Sequence, residues 1–194
     1  MLYSTVITEI CSQLGDPDKD TYEDRAKLHF GRAVSYFINA GEYGNNDLPA
    51  YRKLKTDVSF TGTPLSYDLS SLGTIVRIEN IFIDPSDDGL YGITVTMVDS
   101  EQVAQISAES ILRPTASDVW IYKVGTTLYL VQSSPSDFNA STDTLFLIYI
   151  IDPQIDTWAD NTVVTDKFSM KFINKCIERA VVTLIDEDIK RSGN

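Results

Sequence analysis

The hydrophobic period changes twice along this chain of 194 residues, and no other feature restricts its fold as much. In the first and last stretches apolar residues recur every three or four positions, the spacing of a helix with one buried stripe. Between those stretches they recur every second position, as in strands with one buried face. The first periodic segment predicts a helix over about Leu2–Leu14, with Val6, Ile7, Ile10, Cys11 and Leu14 on one face and Gly15-Asp16-Pro17 as its stop. A second helix is expected over about Thr21–Ala40, with Ala26, Phe30, Ala33, Val34, Phe37 and Ile38 inward and Gly41 as the C-terminal signal. "GEYGNNDLP" then reads as a loop.

From Thr56 the period becomes two. "TDVSF", "LSYDL", "TIVRIENIFI", "GITVTMV", "DVWIYKV", "TTLYLVQ" and "TLFLIYII" are rich in Val, Ile, Thr, Tyr and Phe and read as strands. "KVGTTL" joins two of them through a tight hairpin at Gly125. "DSEQVAQISAES" departs from the alternation and predicts a short helix carried by the sheet region. The helical period returns at about Asp166–Lys190, where Phe168, Phe172, Ile173, Cys176, Ile177, Ala180, Val181, Leu184 and Ile185 form a wide apolar stripe.

Two helices before the strands and one after them each expose a stripe that needs a partner. The expectation is therefore an α+β fold. Residues 1–55 and 154–194 build one helical bundle, and residues 56–153 form an antiparallel, sandwich-like β domain inserted into it. Leu145–Ile151 is read as a buried strand, and the acidic connector after Asp152-Pro153 as the return to the bundle.

Charge follows the same division. Of a net charge of −12, the middle segment accounts for −10, with only Arg77, Arg113 and Lys123 against 13 acidic residues. Such a segment does not neutralise phosphates, which argues against a nucleic-acid-binding surface. The apolar content of 43% is ordinary, no apolar run has membrane-spanning length, and the first residues read as a mature amphipathic helix and not as a signal peptide. Cys11 and Cys176 lie on apolar helix faces and read as reduced core thiols.

Signals for chemistry are few. Asp16, Asp18 and Asp20 alternate as in a calcium loop, but Thr21 and Lys27 occupy the positions where such a loop needs Gly and Glu. These acids are read as complementing the start of the second helix. His29 stands alone, without a Cys/His cluster or nucleophile nearby in sequence, and is read as structural or solvent-facing. No Walker, G-x-S-x-G, H-E-x-x-H or C-x-x-C pattern occurs. Carboxylates are plentiful, yet no spacing selects a catalytic pair. The expectation is a protein that is not an enzyme and has no metal or cofactor.

Three stretches carry a resemblance. "LSYDLSSLGTIVRIENIFID", "LYLVQSSPSDFNASTDTLFLIYIIDPQID" and "TDKFSMKFINKCIERAVVTLIDED", placed after a helical pair, resemble the head-to-tail adaptors of tailed bacteriophages, of the tail tubular protein A or ring-protein type. The similarity of layout covers nearly the whole chain. It implies a virion structural protein, made in the host cytoplasm and located at the portal–tail junction. Such a protein assembles as a ring, usually dodecameric, between the portal protein and the next tail component. DNA passes its central channel without specific binding. Lys190 and Arg191, in the polar stretch "DEDIKRSGN", are the candidate partner-contact residues, with that stretch expected to order on assembly. The alternative is a ligand- or carbohydrate-binding β module of a phage tail, in which Tyr91, Trp120 and Tyr129 would gather on one exposed patch.

Overall fold

The computed structural model describes residues 1–83, 93–99, 101–103, 117–132, 138–139 and 143–192. The chain divides into two compact units, Met1–Arg52 with Asp152–Asn194, and Lys53–Ile151. The first combines three helices: α1 (Tyr3–Gln13), α2 (Glu23–Ala40) and α3 (Met170–Ser192). As the periodicity predicts, α3 packs against both α1 and α2.

Each helix boundary has a local cause. Asp16 Oδ2 accepts hydrogen bonds from the amides of Thr21 and Tyr22, 3.0 and 2.9 Å away, and so satisfies donors at the start of α2. Gly41, at φ 72°, ends α2: its amide and that of Glu42 turn back to the carbonyls of Ile38 and Phe37. The last helix begins at Met170, four residues later than its stripe suggests, because Val164–Asp166 forms a separate 3-10 turn and Ser169 supplies the cap. Ser169 Oγ accepts from the Phe172 amide at 3.1 Å and donates to Asp47, tying the loop after α2 to the start of α3.

The first and last segments are also joined through backbone. The Tyr3 and Ser4 amides donate to the carbonyls of Thr162 and Asp160, and the Val164 amide donates to the Met1 carbonyl. An aromatic chain runs through the same region. Tyr3 meets Trp158 edge-on at 5.6 Å, Trp158 meets Phe168 at 5.7 Å, and Phe168 meets both Phe172 and Tyr51 at 5.2 Å. Val6, Ile7, Ile10 and Cys11 of α1 and Phe172, Ile173, Cys176 and Ile177 of α3 are buried with it. Two expected inward residues differ: Leu14 is half-buried beyond the last turn of α1, and Ile185 lies 42% exposed on the outer side of α3. A stripe as wide as that of α3 exceeds what α1 and α2 cover.

Among the described residues, the second unit holds seven strands in two sheets, ordered β1-β7-β3 and β2-β6-β5-β4. They are β1 (Arg52–Val58), β2 (Ser66–Asp68), β3 (Ile75–Ile83), β4 (Thr94–Met97), β5 (Asp118–Val124), β6 (Thr127–Gln132) and β7 (Leu145–Ile151). A single buried cluster unites the two sheets, with Val58, Ile81, Leu145 and Leu147 from one and Val119, Ile121, Leu128 and Leu130 from the other. That is the sandwich-like arrangement expected. Strand β7 is the central strand of its sheet and is apolar on both faces: Leu145, Leu147 and Tyr149 join the cluster, and Ile150, on the opposite face, is also fully buried.

Strand β3 shows how tertiary pairing alters a simple alternation. Its register against β7 shifts between Ile75 and Arg77 and again between Ile78 and Asn80. Each irregularity adds a residue, so Ile75, Ile78 and Ile81 reach the core at a spacing of three instead of two.

One pair departs from the antiparallel expectation: β4 and β5 run parallel, from Thr94 opposite Asp118 to Met97 opposite Ile121. The intervening chain is long enough for the crossover that parallel pairing requires. Part of the expected short helix lies in it. Residues 101–103 are helical, and Gln102 Oε1 accepts from the Asp99 amide at 3.0 Å, as in a capping box. Residues 104–110 of that predicted helix lie outside the described residues, as does Tyr91.

Candidate functional site: two apolar surfaces and an ionic clamp on the helical unit

Three features of the helical unit exceed what its own core requires. The first is a groove of about 620 Å³ along the outer side of α2, closed on its far side by residues 152–158. Leu28, Gly31, Arg32, Ser35 and Tyr36 recur at three- and four-residue spacing and form its helical wall. Pro153, Ile155 and Trp158 form the opposite wall, and Trp158 is held there by a hydrogen bond from Nε1 to the Pro153 carbonyl at 3.1 Å. Leu28 is 50% and Tyr36 43% exposed. Gly31 leaves the middle of the groove open, since a Cβ there would meet only Ile155 Cγ2, at 3.9 Å.

The second feature is a ridge on α3. Val182, Ile185 and Ile189 are 58%, 42% and 62% exposed and share one side of the helix. Covering them would stabilise a complex by roughly 1 kcal/mol each, given about 1.5–3 kcal/mol for complete burial of such a side chain.

The third is an ionic clamp joining α2 to α3. Arg25 lies 3.1 Å from Glu187 and 2.8 Å from Asp188, and Tyr22 Oη donates to Asp188 at 2.6 Å. His29, only 3% exposed, sets Nε2 3.2 Å from Glu187. The hydrogen bond from Arg25 holds the Glu187 carboxyl below its ordinary value, with His29 contributing; bonds from Tyr22 and Arg25 do the same for Asp188. On the adjacent flank the Arg179 guanidinium stacks over Tyr36 at 3.4 Å and the Lys175 ammonium over Phe37 at 4.1 Å.

His29 is thus a buried structural partner of a carboxylate. Asp16 holds the turn that leads into α2 through the amides of Thr21 and Tyr22, while Asp18 and Asp20 are exposed beside it; no group of metal-ligating side chains occurs among the described residues. Lys190 and Arg191 are exposed and occupy the last turn of α3, which stays helical through Ser192. The polar stretch expected to order on assembly is therefore already folded through that residue. The preceding acids account for this, because the clamp fixes Glu187 and Asp188 to α2. The clamp and groove were missed in sequence. Glu187 and Asp188 carried a signal for the clamp: acids near a helix C-terminus oppose its dipole and call for a compensating cation.

In the β unit, Trp120, Tyr122, Tyr129 and Val131 share the face of the four-stranded sheet opposite its buried cluster, and all are half-buried. Tyr122 and Tyr129 stack at 5.1 Å.

No protein-family model matches the chain, and no curated protein matches it. No helix among the described residues is long and apolar enough to cross a membrane. Fold and surfaces together define an α+β protein of two units whose helical unit leaves a groove beside α2 and a row of apolar side chains on α3 exposed.

Proposed function

We propose that this chain is a virion structural protein, the head-to-tail adaptor of a tailed bacteriophage, and not an enzyme. It forms a ring, dodecameric by the resemblance, between the portal protein and the next tail component, and DNA crosses the central channel. One observation carries this reading. The helical unit presents two apolar surfaces of different shape, the α2 groove and the α3 ridge. Different surfaces that fit one another make heterologous contacts, and those close into rings when the rotation permits. The charge of −10 over residues 56–153 suits a lobe that DNA passes without adhering.

Electron microscopy of the protein mixed with the portal ring of its own virion tests the proposal. A symmetric ring seated on the portal is the expected image; a portal that stays bare in excess protein refutes it. A second reading draws on the aromatic face of the four-stranded sheet, where Trp120 and the Tyr122–Tyr129 stack offer planar surfaces of the kind on which sugars pack. Saturable binding of a glycan by the monomer, lost in Trp120→Ala, would favour that module over the adaptor.

A further inference from the structure

We infer that Arg32 and Arg179 form a two-pronged receptor for one carboxylate, carried by an acidic side chain on a partner protein. The site is defined by the chemistry of one hollow in the helical unit, so it stands whether or not the chain is an adaptor.

The hollow lies between α2 and α3 and has a volume of about 290 Å³, room for one side chain and not for a folded element. Arg32 and Tyr36 line it from α2 and Arg179 and Thr183 from α3, with His29 and Glu187 at the end nearer the clamp. Arg32 and Tyr36 are one helical turn apart, and the Arg179 guanidinium stacks 3.4 Å from the centre of the Tyr36 ring. The two arginines, from different helices, are thus brought to one place. A guanidinium that meets a ring by its face keeps its N–H edge for an acceptor. Tyr36, 43% exposed, offers its ring to the methylene groups behind the carboxylate.

Charge favours an anion here. Neither Arg32 nor Arg179 makes an ion pair among the described residues, although Arg32 also borders the groove that holds Asp152 and Asp156. Glu187, the one described carboxylate lining the hollow, is already held by Arg25 and His29. Glu178 and Asp186 line the neighbouring hollow beside Phe37, which Arg179 also borders, and pair with neither arginine. These acids decide which anion fits. A polyanion would set its further charges against them and against a net charge of −12. A carboxylate brings one charge and two coplanar oxygens, the pattern a guanidinium fork matches.

Nuclear magnetic resonance of the full chain tests this, with the arginine Nε–H signals as reporters. The probe is an acetylated, amidated Ala-Ala-Glu-Ala-Ala peptide. Its Gln counterpart and inorganic phosphate are titrated separately at constant ionic strength. The Glu peptide should shift the Arg32 and Arg179 signals together and saturably, and the Gln peptide should leave them in place. Arg32→Gln and Arg179→Gln put another good helix former at exposed positions, so each should keep the circular-dichroism spectrum. Each should weaken the Glu peptide at least about tenfold, the effect of one charge-assisted pair. Arg179→Lys keeps the charge without the fork and should weaken it too. Lys123→Gln, at an exposed cation of the β unit, should change nothing.

Equal shifts with the Gln peptide, shifts that never saturate, or binding that survives both glutamine variants overturn the site. Tighter binding of phosphate than of the Glu peptide overturns the choice of a carboxylate. The two proposals fail separately. A portal that stays bare removes the adaptor and leaves this receptor standing, and a failed peptide titration beside a normally seated ring does the reverse.

Discussion

Replacing Phe168 with Ala tests whether the helices on either side of the β unit share one core. Phe168 is fully buried and touches three rings: Tyr51 from the segment after α2, Trp158 from the connector and Phe172 from α3. Through Trp158 it is linked to Tyr3, the first residue of α1. Transfer of the ring from water accounts for about 1.5–3 kcal/mol. The cavity left among residues that cannot fully close over it brings the usual total to about 3–5 kcal/mol. Against a typical domain stability of about 5–15 kcal/mol, that is a large fraction. Far-UV circular dichroism in urea should show an earlier midpoint with an unchanged slope. Amide hydrogen exchange gives the sharper result. In a single cooperative unit, amides of α1 and α3 that exchange by global opening should both speed up by roughly 100- to 3,000-fold, at tenfold per 1.4 kcal/mol. Faster exchange confined to α3, with α1 as protected as before, would refute the shared core. A loss below about 1 kcal/mol would refute the central place given to Phe168.

Glu187 and Asp188 have carboxyl groups held below their ordinary values in the fold, so the stability they confer is present above the unfolded carboxylate range and is lost as pH falls through the folded one. Urea midpoints followed from about pH 6 to about pH 2 should therefore decline less steeply for Glu187→Gln than for the unaltered chain. Asp16→Ala should lose about 1 kcal/mol with its bonds to the Thr21 and Tyr22 amides, whereas Asp18→Ala and Asp20→Ala should stay within about 0.5 kcal/mol, all read by thermal denaturation. Burial pushes the Cys11 and Cys176 thiols up. A thiol reagent at neutral pH should modify them only after unfolding, and rapid reaction of the native protein would contradict their placement.

What could be read in advance was what repeats along the chain. Helix and strand impose different periods on any buried face, so Val6, Ile7, Ile10 and Cys11 marked α1, and strand-type sequence marked each of the described strands in part. Strand β1, however, begins at Arg52, inside the segment 1–55 assigned to the bundle, because its polar "RKLK" carries no alternation. A lone terminal stripe cannot remain uncovered, so the pairing of α3 with α1 and α2 was legible before any coordinate. Local chemistry also spoke early: Gly41 ends α2 and Gly125 turns the β5–β6 hairpin.

What depended on distant neighbours was not legible. The bulges that bring Ile75, Ile78 and Ile81 to one face belong to pairing with β7, and the parallel direction of the β4–β5 pair is fixed only where the two strands meet. The exposure of Ile185, the groove beside Gly31 and the clamp from Arg25 to Glu187 arise only where helices far apart in sequence come together. Periodicity shows that a side chain is suited to burial. Which of the suited residues are covered, and which remain for another molecule, is decided by how much surface the neighbouring elements can reach.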